Sequence, residues 1–218
     1  MWMVGSATST RAAPGTFVGD LYTGTGPPFS AFVPSAVKPL KVGAVTITFT
    51  GRDNASLSYT VNGASVVKSI TRELLDGALA FPTCVWGENL SQRLATNLTD
   101  LWWNPAEPGW GLNLTHQGDT VYGSWFTFDR DGKQLWLVVA ANKTAPGIYE
   151  GALLKAVSGP PFNEVPFVSA KVKGAAAGTA TLAVSDGNNV AFTYTVDGVT
   201  QTKLVTREVF NPPGTVCY

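Results

Sequence analysis

The chain matches itself. Gly43-Ala44-Val45-Thr46 returns as Gly178-Thr179-Ala180-Thr181, and Ser58-Tyr59-Thr60-Val61-Asn62-Gly63 returns as Thr193-Tyr194-Thr195-Val196-Asp197-Gly198. Lys68 with Thr71-Arg72-Glu73 likewise returns as Lys203 with Thr206-Arg207-Glu208. One offset of 135 residues, as from Tyr59 to Tyr194, carries all three matches. Upstream, Gly24-Thr25-Gly26-Pro27-Pro28-Phe29 aligns with Val157-Ser158-Gly159-Pro160-Pro161-Phe162, and Met1-Trp2-Met3-Val4 with Leu135-Trp136-Leu137-Val138 after small insertions. Self-similarity of this kind constrains the chain to two like units. Nothing in the first copy corresponds to Leu101 to Gln134. Residues 1–75 therefore read as a truncated first β repeat, 76–99 as a linker and 100–218 as a complete repeat. The expectation is a natural protein that extends upstream of Met1, its opening strands and any signal peptide lost from this end.

The second copy reads as strand throughout. Runs rich in Val, Thr and aromatic residues cover 111–117, 120–129, 134–141, 148–156, 167–173, 179–185, 190–196 and 200–209. Turn signals separate them, among them Gly118-Asp119, Asp131-Gly132, Pro146-Gly147 and Asp197-Gly198. Eight strands joined mostly by tight turns predict an all-β, antiparallel up-and-down meander, and closing it into an eight-stranded barrel removes the exposed edges. Tyr122, Phe126 and Phe128 lie on one face of the second strand, Val121 and Trp125 on the other. Both faces being apolar, part of the outer wall is predicted to be covered by the other copy, an intramolecular packing of the two repeats. In the linker, Glu88 to Ala95, with Leu90 and Leu94 four apart, reads as a short helix.

Composition excludes several partners. Lys plus Arg and Asp plus Glu both number 15, and no run of either sign occurs, which argues against a nucleic-acid groove or a polybasic anchor. The longest strongly apolar run, Leu135 to Ala141, is far short of the ~20 residues of a spanning helix, so no membrane insertion is expected. The two cysteines, Cys84 and Cys217, stand in matching places past the last strand of each copy. A closed meander brings its ends together, so the pair reads as a disulfide clasp, the alternative being two unpaired thiols.

The densest chemistry lies in Leu101-Trp102-Trp103-Asn104-Pro105-Ala106-Glu107-Pro108-Gly109-Trp110-Gly111. Three Trp interrupted by Pro and Gly cannot share one helix face. Trp102, Trp103 and Trp110 read either as a stacking platform for a sugar ring, with Asn104 and Glu107 as its hydrogen-bonding groups, or as a plug at one end of the barrel with its indole N–H groups on loop carbonyls. His116 is the only histidine and reads as a surface or hydrogen-bonded hairpin residue, since no metal-ligand spacing accompanies it. Asp129-Arg130-Asp131-Gly132 has the start of a calcium loop but not its later carboxylates, and a hairpin explains it. Lys203, Val205 and Arg207 share a strand face, as do Lys68, Ile70 and Arg72, a pattern suited to an end-closing hydrogen bond or to an anion site.

Residues 97–217, with their Leu-Trp-Trp-Asn-Pro-Ala-Glu-x-Gly-Trp-Gly opening, the Asp131-Gly132 turn, Gly159-Pro160-Pro161-Phe162 and the Thr206-Arg207 ending, resemble repeat units of secreted proteobacterial proteins. The resemblance implies an exported, tandem-domain protein, extracellular or periplasmic. A second resemblance, of layout, is to the calycin barrels of avidins and lipocalins, in which an Arg or Lys of the last strand covers a Trp at the start of the first. It implies that Arg207 covers Trp110, in Gly109-Trp110-Gly111. The functional expectation is a binding or adhesion module presenting aromatic residues to glycans or a small apolar ligand, without metal or cofactor. The alternatives are a glycan hydrolase using Glu107 with a second carboxylate, and a purely structural repeat.

Overall fold

The computed structural model describes residues 2–10, 12–75, 78–86, 91–210 and 212–218. Among these residues the fold is all-β and antiparallel, in three sheets. The first holds β1 (Ala7–Thr10), β2 (Ala13–Thr25), β3 (Lys38–Phe49), β4 (Asn54–Val61) and β5 (Ala64–Thr71), in chain order with β1 and β5 at its edges. A short β6 (Cys84–Trp86) follows. The barrel comprises β7 (Asp100–Trp103), β8 (Gly111–Gln117), β9 (Thr120–Phe128), β10 (Gln134–Ala145), β11 (Ile148–Ser158), β12 (Lys173–Asp186), β13 (Asn189–Val196) and β14 (Val199–Arg207). It is closed by β14 pairing with β7, Arg207 opposite Trp102. Finally β15 (Thr215–Cys217) pairs with β6.

The eight-stranded barrel agrees with the sequence, but one strand is a different one. The expected strand over 167–173 does not form: Phe167 to Val172 holds a 3-10 turn at Ser169–Lys171, with Phe167, Val168 and Val172 exposed, and Lys173 already opens β12. β11 already has β10 on one side and β12 on the other, so the closed barrel has no free edge for this run. The eighth strand is β7, four residues inside the Trp-rich segment, between β14 and β8. The expected helix over 88–95 falls partly outside the described residues, and within them the chain makes a 3-10 turn at Gln92–Leu94.

Residues matched by the sequence offset occupy like positions in the two large sheets. Asn62-Gly63 and Asp197-Gly198 both turn with positive φ, 47° and 85° in one and 50° and 77° in the other, the conformation of a two-residue hairpin loop. β2 and β3 slip register beside Gly43, and β11 and β12 slip register beside Gly178. A Cβ at Gly43 would lie 1.6 Å from the Thr60 carbonyl oxygen and one at Gly178 1.7 Å from that of Thr195. Only glycine fits either bulge.

The two sheets interlock. Trp2 covers Phe126 and Phe128 on the outer wall of β9, its indole N–H donating to the Thr127 carbonyl at 3.1 Å. Phe128 is fully buried as a result, which is the predicted covering of the outer wall. Phe29, on a 3-10 turn after β2, inserts into the barrel mouth, its ring centroid 5.8 Å from both Trp125 and Tyr194. Gln201 donates to the Ser30 carbonyl at 2.9 Å, and Tyr194 donates to Gln201 Oε1 at 2.6 Å. The reverse contact exists too. Phe162, of the second Gly-Pro-Pro-Phe, packs on Tyr59, and its carbonyl accepts from Tyr59 and from Lys68 Nζ. Tyr59 and Tyr194 thus each receive the other unit's phenylalanine.

Cys84 and Cys217 form a disulfide in the β6–β15 pair, where Cys84 lies opposite Cys217 and Val85 opposite Val216. The bond joins a segment ahead of the barrel's first strand to one past its last, the clasp expected where a closed meander brings its ends together. Among the described residues no helix is long and apolar enough to cross a membrane.

Candidate functional site

β7 and the loop after it place the five aromatic and polar candidates, and they do not form one surface. Trp102 points into the barrel, 1% exposed, its Nε1 donating to the Leu98 carbonyl at 2.9 Å. Trp110 is buried at the opposite edge of the loop, 6.5 Å from Trp125, and its Nε1 donates to Glu107 Oε2 at 3.0 Å. Trp103 is half-buried, and Asn104 spends its Oδ1 on the Ala106 N–H. Of the three Trp, two are therefore core residues and one lies at the rim. The cause is strand alternation: once 100–103 pairs as β7, Trp102 must face the lumen and Trp103 cannot follow it.

Glu107 is a latch. Besides Trp110, it accepts from Lys203 Nζ at 2.7 Å, both partners being mostly buried. Both carboxylate oxygens are thereby committed, and Lys203 has an end-closing role as one of the two sequence readings allowed. Trp110, Phe29, Phe32 and Lys203 close over this mouth and leave no room among them for a water molecule. The rest of the lumen is filled by Leu112, Leu114, Trp125, Leu137, Leu153, Leu182 and Phe192. Burial pushes the Tyr194 phenol far above its ordinary pKa, with the nearby Glu107 adding to the effect.

At the other mouth sits Arg207, and its aromatic partner is Trp102 in place of Trp110. The guanidinium carbon lies 4.8 Å from the Trp102 ring centroid. Register explains the change, because Arg207 is directly opposite Trp102 on the closing pair. Its donors reach the carbonyls of Gly187 (2.6 Å), Asn97 (2.7 Å) and Thr99 (3.2 Å) and the carboxylate of Asp100 (3.0 Å). Arg72, its counterpart in the first copy just past the end of β5, is half exposed and lies over Phe81 at 5.6 Å, with Asp53 at 3.8 Å.

An opening lies at this end of the barrel, against the linker. A cleft of about 420 Å3 is bounded by Phe81, Asn97, His116, Asp119, Lys143, Tyr149 and Tyr218 among others. His116 Nδ1 accepts from the Leu98 N–H at 3.1 Å, so Nε2 carries the proton and meets the Gly118 carbonyl at 3.0 Å. The Tyr149 hydroxyl lies 3.3 Å from that same Nε2. Burial lowers the His116 pKa, the Gly118 bond only partly opposing it. This is a neutral hydrogen-bonded ring under the cleft floor, as expected of a hairpin histidine, while Asp119 and Lys143 form an exposed ion pair at the rim. Sequence reasoning gave Asn97, Lys143, Tyr149 and Tyr218 no role in a site and took Asp119 as a turn residue; they come from the linker, two strands, the chain end and a hairpin, and share no spacing.

The acidic hairpin is a turn. Asp129 Oδ1 accepts from the Asp131 and Lys133 N–H groups, both at 2.9 Å, and Gly132 takes φ 73°. Among the described residues no group of three or more His, Cys, Asp or Glu side chains is placed to hold a metal. No family model, curated protein or solved structure matches the chain.

Proposed function

We propose that this is an exported binding or adhesion module built from two copies of one β repeat, and that it takes a carbohydrate in the cleft between Asn97, Asp119, Lys143 and Tyr218. The observation that carries the reading is the pairing of a filled lumen with a cleft of about 420 Å3 that has ring surface and hydrogen-bonding groups together. Ring faces suit the C–H face of a pyranose, while a carboxylate and an ammonium suit its hydroxyls. Export is supported by the disulfide, which persists in oxidising compartments. The covering of a first-strand Trp by a last-strand Arg supports the calycin layout, with Trp102 as the residue concerned. Commitment of both Glu107 oxygens favours binding over hydrolysis through that residue.

A glycan array followed by calorimetric titration of its hits tests the reading. Tyr218→Ala and Asp119→Asn should each weaken a true ligand by about tenfold, the worth of one ring contact or one good hydrogen bond. Trp103→Ala should leave binding unchanged. The reverse pattern moves the site back to the β7 loop, and an array without hits favours the purely structural repeat.

A further inference from the structure

The floor of the cleft holds a donor that the fold does not use. Tyr149 lines the cleft and is 6% exposed. Among the described residues its hydroxyl has one hydrogen-bonding neighbour, His116 Nε2, at 3.3 Å. That nitrogen cannot accept its proton. His116 Nδ1 takes the Leu98 N–H, so Nε2 is the protonated atom of the neutral ring, and it donates to the Gly118 carbonyl at 3.0 Å. The most that Nε2 can offer Tyr149 is a share of its own hydrogen. The Tyr149 O–H is therefore left without an acceptor among the described residues, and burial raises its pKa, so the proton stays in place. A buried donor of this kind calls for an acceptor from whatever enters the cleft.

The floor offers no unbonded acceptor in return. The Gly118 carbonyl takes His116, the His116 carbonyl takes Asn97 Nδ2 at 3.1 Å, Asn97 Oδ1 takes the Thr99 N–H at 3.0 Å, and Gln117 Oε1 takes the Leu75 N–H at 2.8 Å. A ligand hydroxyl placed on Tyr149 would bury its own hydrogen without a partner, whereas a carbonyl brings acceptor lone pairs alone. Charge then separates the carbonyl of an amide from a carboxylate. Among the described residues the charged side chains on the cleft are Asp119 and Lys143, which pair with each other at 3.3 Å and sum to zero. A carboxylate would enter beside Asp119 with the one counter-ion already taken, and the neutral amide meets no such cost. On the same cleft Ala80, Phe81 and Pro82 give a methyl group an apolar wall.

We propose that the cleft selects a sugar bearing an acetamido group, whose carbonyl accepts from the Tyr149 hydroxyl while its methyl lies against the wall of Phe81 and Pro82. The inference rests on the carbohydrate reading of this cleft, and adds to it the class of sugar and the residue that selects it.

Calorimetric titration of the whole chain with chitotriose, cellotriose and trigalacturonate tests it. Chitotriose should bind at least about tenfold more tightly than either of the others. Tyr149→Phe removes the hydroxyl alone and should bring chitotriose down to about the affinity of cellotriose, abolishing the preference between them, which a general loss of the cleft would not do selectively. The ranking given by the unaltered chain needs no variant, so the outcome does not depend on Tyr149→Phe remaining folded. Cellotriose or trigalacturonate bound as tightly as chitotriose, a preference that survives Tyr149→Phe, or binding only to glycans without an acetamido group overturns the choice of sugar and leaves the carbohydrate reading standing. A chain that binds no glycan at about 10 mM overturns both.

Discussion

Replacing Arg207 by Lys separates a planar fork from a charge. Arg207 is 4% exposed and satisfies three carbonyls and one carboxylate on two stretches of chain, 97–100 and 187, while lying over Trp102. A lysine keeps the charge near Asp100 but presents a point donor, which cannot span Asn97 on one side and Gly187 on the other. Two buried carbonyls are then left unpaired. At roughly 1–3 kcal/mol for each unpaired buried group, and with part of the stacking lost, the expected cost is about 3–4 kcal/mol. Arg72→Lys alters a half-exposed side chain with a long ion pair, and should cost no more than about 0.5 kcal/mol. Urea unfolding followed by far-UV circular dichroism and by tryptophan emission measures both. Equal costs, or a cost below about 1 kcal/mol for Arg207→Lys, would refute the view that this fork ties the linker to the barrel mouth.

Phe29→Ala empties a site walled by Trp125 and Tyr194 and should cost about 3–4 kcal/mol, with acrylamide gaining access to tryptophan emission. Unchanged quenching would mean that the turn bearing Phe29 does not seal the barrel. The double variant Cys84→Ser with Cys217→Ser opens a loop with a sequence separation of 133 and should lower stability by up to about 5 kcal/mol on the chain-entropy estimate, read from the shift in urea midpoint. His116 is held neutral in the fold, its pKa below the unfolded value near 6.5. The stability it contributes is therefore complete above about pH 6.5 and falls as the pH drops through that value toward the folded pKa. His116→Gln should be less stable than the parent at pH 7.5 and should lack this step between pH 7 and 5, and a parallel pH dependence of the two melting temperatures would contradict it.

Local features of the sequence were readable, and closure was not. β13 alternates Phe192, Tyr194 and Val196 against Thr193 and Thr195, and ends in Asp197-Gly198, so its identity, faces and turn could all be taken from the residues themselves. β7 is four residues long, has two adjacent Trp and ends against Asn-Pro, and its partner β14 is about a hundred residues away. Such a strand is specified by its neighbours. The Val-containing run at 167–173 illustrates the converse, having strand composition but no edge on which to form hydrogen bonds. The partner of Arg207 was misassigned for the same reason, since cross-barrel register depends on where β7 begins.

The recurrence of Gly-Pro-Pro-Phe marks two contacts between the units. Two prolines after a glycine mark an exposed turn, yet each is followed by a large aromatic residue that an exposed turn does not require. A phenylalanine presented on a stiff turn is suited to filling a pocket outside its own sheet, and Phe29 and Phe162 both do so, each against the other unit's tyrosine. The lumen of the barrel is consequently closed by the neighbouring sheet. The aromatic richness that suggested a stacking surface is largely the material of that closure, with Trp102, Trp110, Trp125 and Phe29 in one core. The end where the linker crosses keeps a cleft that is polar at the rim, with Asp119 and Lys143, and aromatic within, with Phe81, Tyr149 and Tyr218.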